Sequence, residues 1–325
     1  ATAAQTNITS VGTLSALTVA GNLSVNGGTI KLDGNYPTGS FNVALGDIAL
    51  QSGSLSGGSN TAIGRGSLYN NTSGANNTGI GRGSLDANTT ASDNTAVGMN
   101  SMFANTTGAE NVAVGGLALD ANTTASGNSA LGYASLTANT TGASNTAVGQ
   151  SALQANTTAS DNTAIGKSAL LSNTTGIVNT AVGATSLDAN TTGGYNTAIG
   201  HASLTANTTG ETNTALGNNV LQANTTASQN TGAGTNAMYA NTTGADNAAF
   251  GHNSLDSNTT GSNNTALGKS ALGANTTAAN NTAVGYKSLH ANTTGASNVA
   301  MGSAALSANT TGAYNTAVGY YAGES

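Results

Sequence analysis

A glycine that follows an aliphatic residue recurs at a constant spacing of 17 from Gly64 through Gly81, Gly98 and Gly115 to Gly319. One earlier copy, ending at Gly46, stands 18 residues ahead, with the extra residue near Ser56-Gly57-Gly58. Periods of this kind mark repeat architectures in which each unit packs only on its neighbours. Loops on ordinary folds tolerate changes of length, so an unbroken period implies that each residue stacks on its counterpart one coil away. A unit of 17 residues is too short for a pair of helices, and Thr, Val, Gly and Asn are poor helix formers. The period therefore predicts an all-β chain, a parallel β-solenoid (β-roll) of 17-residue coils.

The consensus is Asn-Thr-Ala-Val-Gly-x-x-(Ala/Ser)-Leu-x-Ala-Asn-Thr-Thr-(Gly/Ala)-x-x, and Asn145 through Asp161 is a clean example. Unit positions are counted from the opening Asn, so that Asn145 is position 1. Two short strands are expected per coil, one around Asn145–Val148 and one around Ser151–Gln154, with Asn-Thr-Thr-Gly turning the corner. The aliphatic before the glycine (Ile63, Val97, Val148, Ile165) and the later Leu (Leu68, Leu85, Leu153) hardly vary in character, and both are read as core columns. Met102 and Met238 replace Leu, and Phe250 replaces Val, as softer or larger plugs. Val148, Gly149 and Leu153, with Asn145 and Asn156, are the structural columns of the unit. The two Asn columns, Asn42 to Asn315 and Asn71 to Asn309, are read as stacked ladders and turns, because Asn tolerates left-handed backbone and bonds its own turn. One unit alone buries too little apolar surface to offset its ordering. Ladders between coils must contribute, and the slender apolar stripe points to identical chains packed side by side. At about 4.8 Å per strand the repeats would extend roughly 75–80 Å.

Composition separates this chain from disordered Asn- and Thr-rich sequences. Those carry high net charge and Pro and lack evenly spaced aliphatics; here 6% of residues are charged, there is one Pro, and the aliphatics are periodic. There is no cysteine, so neither disulfides nor thiolate metal sites can form. Six scattered basic residues and a net charge of −6 offer no patch for phosphates, and no nucleic-acid partner is expected. No apolar run of about 18 residues is present, so no membrane span is expected. His201, His252 and His290 sit on varying positions, and the acidic residues never cluster as a calcium loop requires. No nucleophile elbow or phosphate loop is found. The chain is read as no enzyme, with no catalytic residue, no metal and no cofactor.

Two parts are expected: 1–40 as a strand-rich stem or cap, with Val11, Leu14, Leu17 and Val19 among its spaced aliphatics, and 41–325 as about seventeen repeats. At the far end Gly323 occupies the Leu position, where the coil either stops or the chain is cut. Charges and aromatics fall on varying columns after the glycine, after the Leu and before the next Asn. Tyr133, Tyr286 and Tyr320 share one such column. These three, with Tyr314 and Tyr321, are the candidate recognition residues, since exposed Tyr can contact sugars or proteins. Scattered single Tyr residues are more often neutral surface.

The core Asn145–Leu153 resembles the head repeats of trimeric autotransporter adhesins, in which a related Asn-x-x-Ala-Ile-Gly motif builds a trimeric left-handed parallel β-roll. With Asn-Thr-Thr-Gly included, the unit looks more like repeats of bacteriophage tail-fibre and other virion-appendage proteins, and Thr6–Leu14 through Gly21–Leu23 is similar to the stems of such fibres. The resemblance implies a left-handed homotrimer on a virion that supports host attachment, with other fibre or baseplate proteins and a host glycan or surface protein as partners. Similar fibres end on a Ser left by a self-cleaving chaperone, and Ser325 matches that pattern. A bacterial surface adhesin with the same architecture is the alternative. An ice-binding solenoid is a third reading, disfavoured because the Thr-Thr pair falls in an expected turn.

Overall fold

The structure, a computed structural model, describes residues 40–52 and 54–324. The chain divides into two units, Ala1–Leu32 and Asp33–Ser325, and every described residue belongs to the second. The stem expected over 1–40 lies outside the described residues except for Ser40.

Among the described residues there are seventeen strands, β1 (Val43–Leu45) through β17 (Thr316–Val318), and no helix. Each strand has three residues and pairs in parallel with its sequence neighbours, so strand order in the sheet follows the chain. β7 (Thr146–Val148) lies between β6 (Ser129–Leu131) and β8 (Thr163–Ile165), with Ala147 facing Ala130 and Ala164 in register. The fold is all-β, a parallel β-solenoid with one turn per 17-residue unit.

The expected second strand, Ser151–Gln154, is a turn. Ser151 and Leu153 both have left-handed φ, 57° and 51°, and two such residues within three curl the chain instead of extending it. A left-handed Leu costs about 1–2 kcal/mol. Two gains offset that cost in each coil. The Leu153 side chain is completely buried, and its N–H donates to the Ala169 carbonyl of the next coil at 3.0 Å. Hydrogen bonds between coils thus continue through the turns: Ala155 N–H donates to Leu171 O at 3.0 Å, and Ser151 N–H reaches back to Tyr133 O at 3.0 Å.

The core differs from expectation in one column. The Leu column is inside, including Met102 and Met238. The pre-glycine aliphatics are not: Leu131 is 50% exposed and Leu267 48%, and Val148 is half-buried. Side chains alternate along a strand, so in Thr146-Ala147-Val148 either the middle residue or the two flanking ones face inward, and it is the fully buried Ala147 that does. The interior admits nothing larger there. Where Gly79 takes that position, a Cβ would already lie 2.5 Å from Ser67 Oγ and 3.4 Å from Leu68 Cγ. Val148 is directed outward as a consequence, and so is Phe250, which is 40% exposed.

Gly149 shows why the glycine column is uniform. Its φ is +135°, and an added Cβ would stand 2.5 Å from the carbonyl oxygen of Gly166 in the next coil. Gly149→Ala should cost about 1–3 kcal/mol in backbone strain alone. Leu153→Asp, which buries a charge in the Leu column, should cost at least about 4 kcal/mol, whereas Gln150→Ala on the exposed face should stay within about 0.5 kcal/mol of the parent. Urea unfolding checks this, and equal midpoints for Leu153→Asp and Gln150→Ala would contradict the column assignment.

Candidate functional site

The polar interior is closed to ligands by its own hydrogen bonds. Asn145 N–H donates to Asn128 Oδ1 of the preceding coil at 2.9 Å, and its Nδ2 donates to Ala159 O at 2.9 Å. Asn156 Nδ2 donates to Asn139 Oδ1 at 2.8 Å and also to Ala159 O at 3.0 Å. The two Asn ladders therefore converge on one carbonyl per coil, at position 15. Both residues are fully buried, and buried amides with these partners are structural groups. The Thr after the second Asn extends the pattern, with Thr157 Oγ1 donating to Thr174 O at 3.2 Å.

Chemistry on the surface is dilute. Among the described residues no three His, Cys, Asp or Glu side chains gather into a metal-binding set, and no helix is long and apolar enough to cross a membrane. His201 and Asn218 approach at 3.5 Å, and His290 Nδ1 lies 3.1 Å from Ser270 O, folded over the site of Gly273. Of the candidate tyrosines, Tyr133 stands nine coils from Tyr286 in the same column and joins no aromatic group. Tyr320 and Tyr321 meet edge to face with ring centroids 4.3 Å apart, and Lys287 Nζ lies 5.5 Å from the Tyr286 ring centre. Tyr314 is 84% exposed. The structure thus places a small aromatic group on the last coils and leaves Tyr133 separate.

Four aspartates, Asp86, Asp120, Asp188 and Asp256, share position 10. Desolvation raises the carboxyl of each above the ordinary value, and at Asp188 its own and the Ala189 backbone groups oppose this. One carboxylate oxygen of Asp120 and one of Asp188 are buried without a hydrogen-bond partner.

The feature that sequence reading missed is the outer face of the sheet. Positions 2 and 4 point outward from every strand, so Thr and aliphatic side chains form two parallel columns along all seventeen strands. Leu45, Leu131, Ile165, Ile199, Leu216 and Leu267 are among the exposed members. Neither column contains a charged residue in any coil. The alternation Thr-Ala-Val with an unvarying small middle residue was the available signal, since it marks Ala as the buried member. Together these positions form one continuous uncharged face along the sheet, the kind of surface that marks an interaction site.

Comparison with protein-family models, with curated proteins and with solved structures finds no match to this chain.

The aspartate column sets a pH dependence. A carboxyl raised in the folded state contributes stability below its unfolded pKa and loses it as pH rises through the folded pKa. Asp188→Asn should therefore raise the apparent melting temperature at pH 7 and leave it unchanged near pH 3. Thermal melts at both pH values check the sign; a variant less stable than the parent at pH 7 would contradict it.

Proposed function

We propose that this chain is the structural shaft of a homotrimeric virion appendage that holds a host-attachment element away from the particle. The single observation that carries the reading is the uncharged, apolar outer column that continues over all seventeen described strands. A face of that size needs a cover, and identical copies supply one with the same length and period. The chain carries −6 charge overall, yet this face carries none, so like charges do not oppose contact between copies there. Left-handed coils and a threefold arrangement are supported by the resemblance of Asn145–Leu153 to adhesin head repeats, and the virion setting by the Asn-Thr-Thr-Gly form of the unit. Attachment would draw on weak contacts repeated over several copies. Two long stretches without Lys or Arg, Arg82 to Lys167 and Lys167 to Lys269, suit a shaft exposed to proteases. The same architecture would serve a bacterial surface adhesin.

One observation favours a second reading. A Thr column at position 2 opens most strands on the outward face, beside the aliphatic column, and repeats at strand spacing as an ice-binding array would. Interruptions by Val112, Ser129, Ala248 and Val299 break the regular lattice such binding needs, which ranks it second. Thermal hysteresis measured on the purified chain would promote it.

Two measurements test the first reading. Ile165→Lys with Ile199→Lys, both outward, should convert the chain from trimer to monomer in sedimentation equilibrium while leaving its circular dichroism unchanged. A parent already monomeric would overturn self-association. Immunogold electron microscopy should then label an appendage of virus particles; label confined to a bacterial envelope would transfer the shaft to the adhesin class.

A further inference from the structure

Turns ordinarily hold side chains less regularly than strands, yet the Thr-Thr turn of this solenoid is laddered from coil to coil. Thr157 O accepts three hydrogen bonds from the preceding coil, from Thr140 N–H at 2.9 Å, Thr140 Oγ1 at 3.1 Å and Thr141 N–H at 3.3 Å. The hydroxyl bond of position 13 recurs in every coil from Thr72 to Thr293. That bond accounts for the uniformity of position 13, and it fixes the height of the residue that follows.

Position 14 is nearly as uniform, being Thr in every coil from Thr90 to Thr311 with Ser73 before them. Its side chain is exposed throughout, and among the described residues its hydroxyl takes part in no hydrogen bond within the chain. No bond inside the coil therefore requires Thr there. Recent duplication of the unit does not account for it either, because other exposed columns have diverged. Position 6 holds Arg65, Met99, Tyr133, Lys167 and His201, and position 17 holds Asp93, Glu110, Val178, Tyr195 and Gln229. A surface column that stays uniform while others vary is matched to something outside the coil.

Whatever reads such a column must itself repeat at the coil rise, about 4.8 Å. The column holds no charge and no aromatic ring, so it offers nothing to an ionic partner. A sugar attached to every Thr would not fit, since a sugar ring is broader than one coil rise. Water does fit, because each hydroxyl can give one hydrogen bond and accept others. Position 16, two residues on, is Ala, Ser or Gly in every coil except at Ile177 and Glu211, so little stands in the way of an approaching surface. The backbone ladder holds the hydroxyls at fixed heights, and a preorganised array avoids the ordering cost of a flexible one. Fixed positions match a crystal of water and not the liquid.

We infer that the position-14 column, Thr90 to Thr311, is an ice-binding face. This gives the ice-binding reading an unbroken column in place of the interrupted one at position 2. It is independent of the shaft and of self-association, since position 14 is no part of the aliphatic face at positions 2 and 4.

Thermal hysteresis of the purified full chain tests it. The parent should open a gap between the melting and freezing points of an ice crystal. Lys at Thr107, Thr158, Thr209 and Thr260 leaves no run of more than three unaltered Thr in the column and should abolish the gap with circular dichroism unchanged. Lys at Met99, Gln150, His201 and Thr235, all exposed in column 6, adds the same number of charges and should keep it. Gln at the four Thr positions, longer than Thr but uncharged, should abolish the gap as Lys does and serves where the lysines unfold the coil. A gap that survives in either folded position-14 variant would overturn the assignment and leave ice binding to another column. A parent without hysteresis would overturn ice binding altogether, while the shaft reading would still stand or fall by its sedimentation test.

Discussion

Coil height in this protein is fixed by glycine backbones in contact. Most repeats bring the position-5 glycine so close to the next that no Cβ fits between them, as at Gly149, where it would stand 2.5 Å from Gly166 O. Once that contact repeats, each residue is held above its counterpart, and an inserted residue would put the Asn ladders and the Leu column out of phase together. This is the physical content of the unbroken 17-residue period. The single longer interval, between Gly46 and Gly64, falls between the first two described strands.

The interior then follows from how little room remains. A narrow coil accepts one Leu and a few small residues per turn, such as Ala147 and Ala152 beside Leu153, and much of the remaining volume goes to hydrogen-bonded amides. Asn suits both corners because its side chain offers a donor and an acceptor in one plane. Its oxygen receives from one neighbouring coil while its nitrogen serves the turn carbonyl, as at Asn156. Ladders of this kind tie coils together without charge, and stability accrues through neighbour contacts instead of one large core.

Much of this was legible in the sequence, and the part that was not has a clear cause. The period, the strand at Asn145–Val148 and the stacked character of Asn145 and Asn156 follow from spacing and residue type. The second strand was misread because Leu153 looks like a strand residue, and nothing in its identity announces a left-handed φ of 51°. Only the coil's hydrogen bonds and the buried Leu make that conformation tolerable. Hydrophobicity alone places Val148 inside, because it takes no account of size. In a coil this slim the inward residue of the strand is the one that fits, so Ala147 takes the interior and Val148 is left facing out. That reversal turns an apparent core column into the candidate interface.

In the proposed trimer the outward aliphatic column is covered by other copies of the same chain. Cryo-electron microscopy of the purified full chain, at a resolution that shows side chains, tests it directly. The expected map shows three coils side by side with Leu131, Ile165, Ile199 and Leu267 turned toward the symmetry axis and Ala147 inside each coil. A map of a single solenoid with that column facing solvent, or of copies joined through the Tyr-bearing columns instead, would contradict it.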